Sequence, residues 1–331
     1  MRFSVLGAGG WGTAVARLLA NNSHDTILWA RNPDRAAEIS RSRENKRYLP
    51  GVSLPTSNLR ITSNLEEALD ADAVFLAVPS FAIADLLEQL AALSRSPQTV
   101  VNLAKGLDRA SHRTISELIG ECLPDAAAFT LSGPSHAEEV GRDMPTAVVL
   151  AGADPELGEA LQREIATSRF RIYLSDDIRG VELCATIKNI IALATGISDG
   201  LGYGDNSRGA LITRGLTEMA RFGRAFSIKR ETIFGLSGLG DLVATCTSEH
   251  SRNRYVGYRL GKGERIDDIL AGMEMVAEGV YATRIVYTMA KERGIEMPIT
   301  EAVHDLLSGK ADPLSLVERI MTRSPKREGF A

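Results

Sequence analysis

A lysine interrupts an apolar run. The stretch ELCATIKNIIALATG, Glu182 to Gly196, sets Lys188 among residues that otherwise read as successive turns of buried helix. Ammonium groups are rarely buried without a partner, and an isolated charge in an apolar setting is costly. Either the side chain snorkels to water or the protein uses it inside. At helical spacing its neighbours are Cys184, Ala185, Ile191 and Ala192, mostly small, which leaves room for a ligand. Desolvation there would lower the pKa of the amine. That is the condition for a general acid/base near neutral pH. Asp241, further along the chain, is a residue that could orient it.

A second chemistry lies at the start. GAGGWG, Gly7 to Gly12, fits G-x-G-x-x-G with Gly10 and Trp11 inside it. It follows a β-rich run and opens a helical pattern, the context a dinucleotide fingerprint requires. Gly7 permits the tight turn and Gly9 lets the backbone approach a pyrophosphate. Gly12 lets the helix pack on its strand, with the helix N-terminus facing the phosphates. The alternative is a glycine turn with no ligand. The second strand runs into WARNP, where an NAD-specific site places a carboxylate on the ribose 2′-hydroxyl. Here stand Arg31 and Asn32, with no carboxylate before Asp34. An arginine can hold a 2′-phosphate. NADP(H) is therefore expected, in preference to NAD(H), unless Arg31 is simply a solvated charge.

Other candidates fall where strands end, the side of an α/β sheet that lines a ligand crevice. VPSF places Pro79, Ser80 and Phe81 there, LAKGL places Lys105, and SGPSHAEE places Gly133, Ser135 and Ala137. Lys105 could pair with a phosphate or a carbonyl, or be a solvated loop charge. In SGLGDLVATCTSEHSRNR, Gly238 and Gly240 make a tight turn and Asp241 heads a short helix. Ser251 caps the next helix, which puts Arg252 and Asn253 in its first turn. A helix N-terminus with an arginine and an amide suits a phosphate; a polar turn with an ordinary cap fits equally well. GLGYGDNSRGAL reads as a glycine-rich loop before a helix that Asp205, Asn206 or Ser207 could cap.

These residues need elements to hold them. RFSVLG, DTILWA, AVFLAV, TVVNLA and AFTLSG read as strands, with amphipathic stretches such as TAVARLLANN and FAIADLLEQLAAL between most of them. Near-continuous apolar strands alternating with helices predict a parallel sheet covered on both faces. TAVVLA and FRIYLS extend it. After Ser175 the pattern turns helical, starting at the helix-favouring Asp176 and Asp177, and no clear strand follows. The expectation is an α/β chain: a Rossmann-like, doubly wound domain over residues 1–176 and an all-α domain over 177–331. A chain of 331 residues suits two domains. The final RSPKREGFA reads as a mobile end.

Bulk composition excludes more than it assigns. With 44% hydrophobic and 24% charged residues the chain is ordinary for a globular protein. A net charge of −4 gives no general attraction to nucleic acid or an anionic membrane. No stretch reads as long and apolar enough to cross a bilayer, and the start lacks the features of a signal peptide. A cytoplasmic protein without membrane insertion is expected. Cys122, Cys184 and Cys246 have neither disulfide nor metal-ligand spacing, and five scattered histidines suggest no metal site.

Taken together, GAGGWGTA, NLAKGL, SGPSHAEEV, ELCATIKNIIALATGISDGLGYGDN, ALITRGL, GLSGLGDLVATCTSEHSRN and VAEGVYAT resemble the bacterial-type NAD(P)-dependent sn-glycerol-3-phosphate dehydrogenases over nearly the whole chain. The resemblance implies Lys188 as general acid/base at the substrate C2 oxygen, with Asn189, Asp241 and Thr245 around it. It implies that Lys105, Gly133, Ser135, Ser251, Arg252 and Asn253 hold the substrate, the last two beside its phosphate. Trp11, Arg31, Tyr48, Ala137, Val276 and Glu278 would contact the cofactor, and Lys105 and Arg252 would touch both ligands. A homodimer is also implied. The chain departs from the family in having Gly10 for a usual serine, and Arg208 and Gly209 for lysine and alanine.

The expected reaction is hydride transfer between NADP(H) or NAD(H) and C2 of dihydroxyacetone phosphate or glycerol 3-phosphate, serving phospholipid synthesis. Two rival readings fit the same residues. One is a reductase of a small hydroxy or keto acid, which the SRN turn disfavours. The other is a non-catalytic dinucleotide sensor, which would need no Lys188.

Overall fold

The computed structural model describes residues 1–93, 95–273 and 276–322, so the expected mobile tail lies outside the described residues. The chain forms two compact units: Met1–Asp108 with Arg113–Ile178, and Arg109–His112 with the chain from Arg179 onward.

The first unit runs β1 (Arg2–Leu6), α1 (Gly10–Asn21), β2 (Asp25–Trp29), α2 (Pro33–Ser42), β3 (Glu44–Asn45), β4 (Leu49–Ser53), β5 (Leu59–Thr62), α3 (Leu65–Ala68), β6 (Ala73–Leu76), α4 (Ile83–Ala91), β7 (Thr99–Asn102), α5 (Ile115–Cys122), β8 (Ala127–Ser132), α6 (Ala137–Val140), β9 (Thr146–Gly152), α7 (Pro155–Ile165) and β10 (Phe170–Ser175). Eight strands make one sheet in the order β10-β9-β8-β7-β6-β1-β2-β5. The central strands are shut from solvent on both faces. Phe3, Val5, Phe75 and Val101 join one apolar cluster, while Leu6, Val74, Leu76 and Val100 join another. This is why their sequences read as continuous rather than alternating apolar runs. The order reverses direction at β1, whose neighbours are β2 and β6. A ligand crevice in such a sheet opens there, beyond the strands' carboxyl ends.

All seven strands read from the sequence form. The sheet is nevertheless mixed, because β9 pairs antiparallel with β8 while β10 runs parallel to β9. Between β8 and β9 lies a single four-residue helix, α6. It is too short to cover the sheet as a crossover would, and the chain turns back. Unforeseen were the edge strand β5 and the β3–β4 hairpin. Both are short, and their Pro-, Gly- and Ser-containing surroundings read as loop. The hairpin is pinned to the glycine turn by Asn45, whose Nδ2 donates to Ala8 O at 2.9 Å and to Thr13 Oγ1 at 2.8 Å.

The second unit is helical throughout its described residues: α8 (Ile178–Gly200), α9 (Asp205–Ala225), α10 (Arg230–Phe234), a π-helical turn (Leu236–Gly240), α11 (Asp241–Thr247), α12 (Arg252–Gly261), α13 (Ile266–Ala271), α14 (Glu278–Glu292), α15 (Pro298–Leu307) and α16 (Pro313–Met321). One expectation is overturned here. By length and composition α8 could cross a bilayer, yet its whole apolar window is buried inside the protein, so it is a core helix. Helix α9 starts at least one residue earlier than its polar residues suggest. Its N-cap is Gly204, with no side-chain capping bond, and Asp205 is already helical.

Glycines let α12 lie backbone-to-backbone on α8. A Cβ on Gly196 would fall 2.1 Å from Arg254 O, and one on Gly257 would fall 2.1 Å from Leu193 O. That contact sets the start of α12 against the Lys188 stretch. None of the three cysteines is in a disulfide. Cys184 and Cys246 are buried and Cys122 half-buried, and burial pushes the Cys246 thiol up to about 12.

Candidate active site

Lys188 does not snorkel. It is 4% exposed, and its Nζ donates to Asp241 Oδ1 at 3.1 Å and to Thr245 Oγ1 at 2.7 Å. The Thr245 hydroxyl in turn donates to Asp241 O at 2.6 Å. Asp241 and Thr245 are one helical turn apart on α11, so both face the same side. What aims them is the π turn before α11. A Cβ on Gly238 would fall 2.0 Å from Ile233 O, so only glycine lets the chain wind this tightly onto α10. Burying an ammonium and a carboxylate is expensive unless each has the other and further hydrogen bonds, and this cluster meets that requirement.

Beside it runs a chain of amides. Gly279 N donates to Asn253 Oδ1 at 2.9 Å, Asn253 Nδ2 donates to Asn189 Oδ1 at 2.8 Å, and Asn189 Nδ2 donates to Ala185 O at 3.2 Å. The two asparagines thus tie α14, α12 and α8 together next to Lys188. Ser251 caps α12 as expected, its Oγ accepting from Arg254 N at 3.2 Å. Arg252 stands exposed in the first helical turn, with Nη1 donating to Val276 O at 3.3 Å. Glu278 is the first residue of α14. Neither Asp199 nor Arg254 was singled out from sequence. Asp199 accepts from Arg254 Nε at 2.7 Å and from Arg208 Nη2 at 2.8 Å, and Arg254 Nη1 reaches Ser248 O at 3.4 Å. Arg208 and Arg254 thus both pair with Asp199 and brace the α8 end against α9 and α12. The bare presence of one carboxylate and two arginines gave no signal of this.

In the first unit the glycine turn has the geometry a dinucleotide needs. Gly7 has φ +126, and a Cβ there would fall 2.7 Å from Ala77 O. A Cβ on Gly12 would fall 2.0 Å from Gly7 O, so α1 starts hard against the turn. Beside Gly9, by contrast, nothing lies within 4 Å of the Cβ position. Gly9 is also the N-cap of α1 and makes no side-chain capping bond, so the helix start offers its N–H groups to an open cradle. Gly10 lies under the hairpin: a Cβ would come 2.7 Å from Tyr48 O. Ala137 packs close by, its Cβ 3.5 Å from the same point. Trp11 is half-buried, and its Nε1 has no hydrogen-bond partner among the described residues.

The strand ends gather the other candidates. Lys105, after β7, donates from Nζ to Gly133 O at 2.8 Å and to Ser135 Oγ at 3.4 Å, both after β8. Gly133 itself has φ +142, a left-handed conformation that favours glycine. Phe81 is exposed on the short turn after β6, and Arg31 is exposed after β2.

Family models match both parts of the chain. The N-terminal model of NAD-dependent glycerol-3-phosphate dehydrogenase covers residues 2–158, and the C-terminal model covers 177–318. This chain belongs to that family. A curated relative, glycerol-3-phosphate dehydrogenase (NAD(P)+) of Chlorobium limicola, is 46% identical over 335 aligned residues, with 100% of each chain covered. The Geobacillus kaustophilus enzyme of the same name is 46% identical over 98% of this chain and 95% of its own. The crystal structure of glycerol-3-phosphate dehydrogenase from Coxiella burnetii is 40% identical and matches with a TM-score of 0.93, covering 97% of this chain and 99% of that one. At Gly10 of this chain the hairpin carbonyl of Tyr48 occupies the space a side chain would take.

Proposed function

We propose that the protein is an NAD(P)-dependent sn-glycerol-3-phosphate dehydrogenase that interconverts dihydroxyacetone phosphate and glycerol 3-phosphate and supplies the latter for phospholipid synthesis. The observation that carries this reading is the buried Lys188–Asp241–Thr245 cluster, in a chain that belongs to the dehydrogenase family. The bound dinucleotide supplies or accepts the hydride at nicotinamide C4.

In the reducing direction Lys188 Nζ gives a proton to the substrate C2 oxygen as C2 receives the hydride. In the oxidising direction the amine removes the hydroxyl proton. The ammonium also stabilises the developing alkoxide. Asp241 and Thr245 hold Nζ in place throughout, and Asn189 supports the same stretch of α8. Arg252 and Asn253 at the start of α12, capped by Ser251, take the substrate phosphate. Lys105, Gly133 and Ser135 hold the substrate from the 1–176 domain. Gly7, Gly9, Gly10 and Gly12 would form the turn that holds the dinucleotide, with Trp11, Arg31, Tyr48, Phe81, Ala137, Lys105, Arg252, Val276 and Glu278 as its other contacts; the open space at Gly9 supports that reading. Residues 177–331 form the catalytic domain. The reading includes a cytoplasmic enzyme and a homodimer, the second resting on the prevalence of two-fold assemblies.

Initial rates of dihydroxyacetone phosphate reduction by the purified protein test the reading, with NADPH and NADH compared side by side. Turnover with a higher kcat/KM for NADPH supports the reaction and the role of Arg31. Turnover favouring NADH keeps the reaction and removes the Arg31 argument. No turnover from folded protein overturns the reaction and sends the substrate search to small keto and hydroxy acids.

A further inference from the structure

We propose that Arg35 is a specificity-determining residue of the cofactor site, selecting a 2′-phosphorylated adenosine together with Arg31. The inference rests on the dinucleotide reading above and deepens it. Arg35 lies in the first turn of α2, directly beyond the carboxyl end of β2. Asn32, next to Arg31, caps this turn by accepting from Arg35 N at 3.0 Å. Arg31 and Arg35 therefore flank one rigid helix start, at the place where an adenosine ribose lies in such folds.

The Arg35 side chain is held ready. Its Cζ lies 4.7 Å from the centroid of the Tyr48 ring, which also carries Arg47 at 5.4 Å. Tyr48 follows β3 in the hairpin whose carbonyl abuts Gly10, and Asn45 ties that hairpin to Ala8 and Thr13. The aromatic platform under Arg35 is thus fixed to the phosphate-binding turn itself. A guanidinium over a ring keeps its N–H donors in its own plane, where they can still take an acceptor.

Among the described residues one of those donors, the buried Arg35 Nη1, has no hydrogen-bond partner, and neither Arg31 nor Arg35 is in an ion pair. The nearest carboxylate in sequence, Asp34, is exposed in the same turn. A buried, unsatisfied, charged donor is costly. A phosphate dianion would relieve that cost through charge-assisted hydrogen bonds. A 2′-hydroxyl, by comparison, brings no charge to two cations.

The test is equilibrium binding to the full chain and to its Arg35→Gln variant, by calorimetry with adenosine 2′,5′-bisphosphate and 5′-AMP, and by fluorescence with NADPH and NADH. Gln keeps a polar amide but is shorter, and it loses the charge and the fork. The 2′-phosphorylated ligands should weaken by about tenfold or more, as expected for one lost charge-assisted hydrogen bond, and 5′-AMP and NADH by much less. Equal weakening of both classes would make Arg35 a mere support for Tyr48 and overturn the proposal. Unchanged binding of the 2′-phosphorylated ligands would overturn it too. Turnover of dihydroxyacetone phosphate is assayed separately. Its absence with intact discrimination by Arg35 would remove the reaction and leave this inference standing.

Discussion

Lys188 Nζ stands 3.1 Å from Asp241 Oδ1, and the two side chains are 5% and 3% exposed. An ion pair this secluded has consequences for activity and stability alike. Lys188→Ala removes the proton donor, and kcat should fall by about 10²–10⁴, the usual worth of general acid–base catalysis. Dinucleotide binding, measured by fluorescence, should stay close to that of the parent. The same change leaves Asp241 buried and uncompensated, at a cost of about 3–5 kcal/mol in urea unfolding. Replacing both partners, Lys188→Met with Asp241→Leu, should cost less than the single change. Near-normal turnover in Lys188→Ala would remove the residue from the mechanism.

Arg252 is exposed at the start of α12, where its Nη1 donates to Val276 O at 3.3 Å. Its loss should act through the substrate phosphate. Arg252→Ala should raise KM for dihydroxyacetone phosphate by roughly tenfold or more, as for a lost charge-assisted hydrogen bond. Turnover of phosphate-free dihydroxyacetone should change little. Equal losses with the two substrates would count against a phosphate contact.

Glu218 on α9 makes stability depend on pH. Its buried carboxyl accepts from Ile299 N, from Thr300 N at 3.1 Å and from Thr300 Oγ1 at 2.9 Å, holding the start of α15. Burial outweighs those donors and raises its pKa from 4.5 to about 7. Between these values the folded state binds more protons than the unfolded state, so stability falls as pH rises. The contribution is complete below pH 4.5 and lost above about 7, and amounts to about 3 kcal/mol. Urea unfolding from pH 4.5 to 8 should show the decline, and Glu218→Gln should flatten it. An identical slope in the variant would assign the decline to other groups.

Gly209 lies inside α9, and a Cβ there would meet nothing within 4 Å. Gly209→Ala should therefore stabilise the protein by about 0.5–1 kcal/mol. Gly196→Ala should do the opposite, because its Cβ would fall 2.1 Å from Arg254 O and force α12 off α8. Thermal unfolding of the two variants should shift in opposite directions. A stabilised Gly196→Ala would mean that the helices can part without cost.

Local chemistry was legible in the residues themselves. A glycine turn between a strand and a helix, apolar strands buried on both faces, and a serine that caps α12 are each determined by a few neighbouring residues. So are the seven principal strands and the change to helix after Ser175. The oddity of Lys188 was visible too, because a charge in an apolar run violates a local rule. Its resolution was not. Asp241 and Thr245 reach it from more than fifty positions away, and only the π turn and the close α8–α12 packing decide that they meet. The same holds for the Asn189–Asn253–Gly279 relay and the two arginines on Asp199. Arg35 on the Tyr48 ring depends likewise on a hairpin that reads as loop. The antiparallel return of β9 and the burial of α8 are further cases, since an apolar helix has the same sequence whether lipid or protein surrounds it. Backbone preferences act over one or two turns and are written in sequence. Desolvation, pairing and close approach depend on groups brought together by the whole fold, and only tertiary structure settles them.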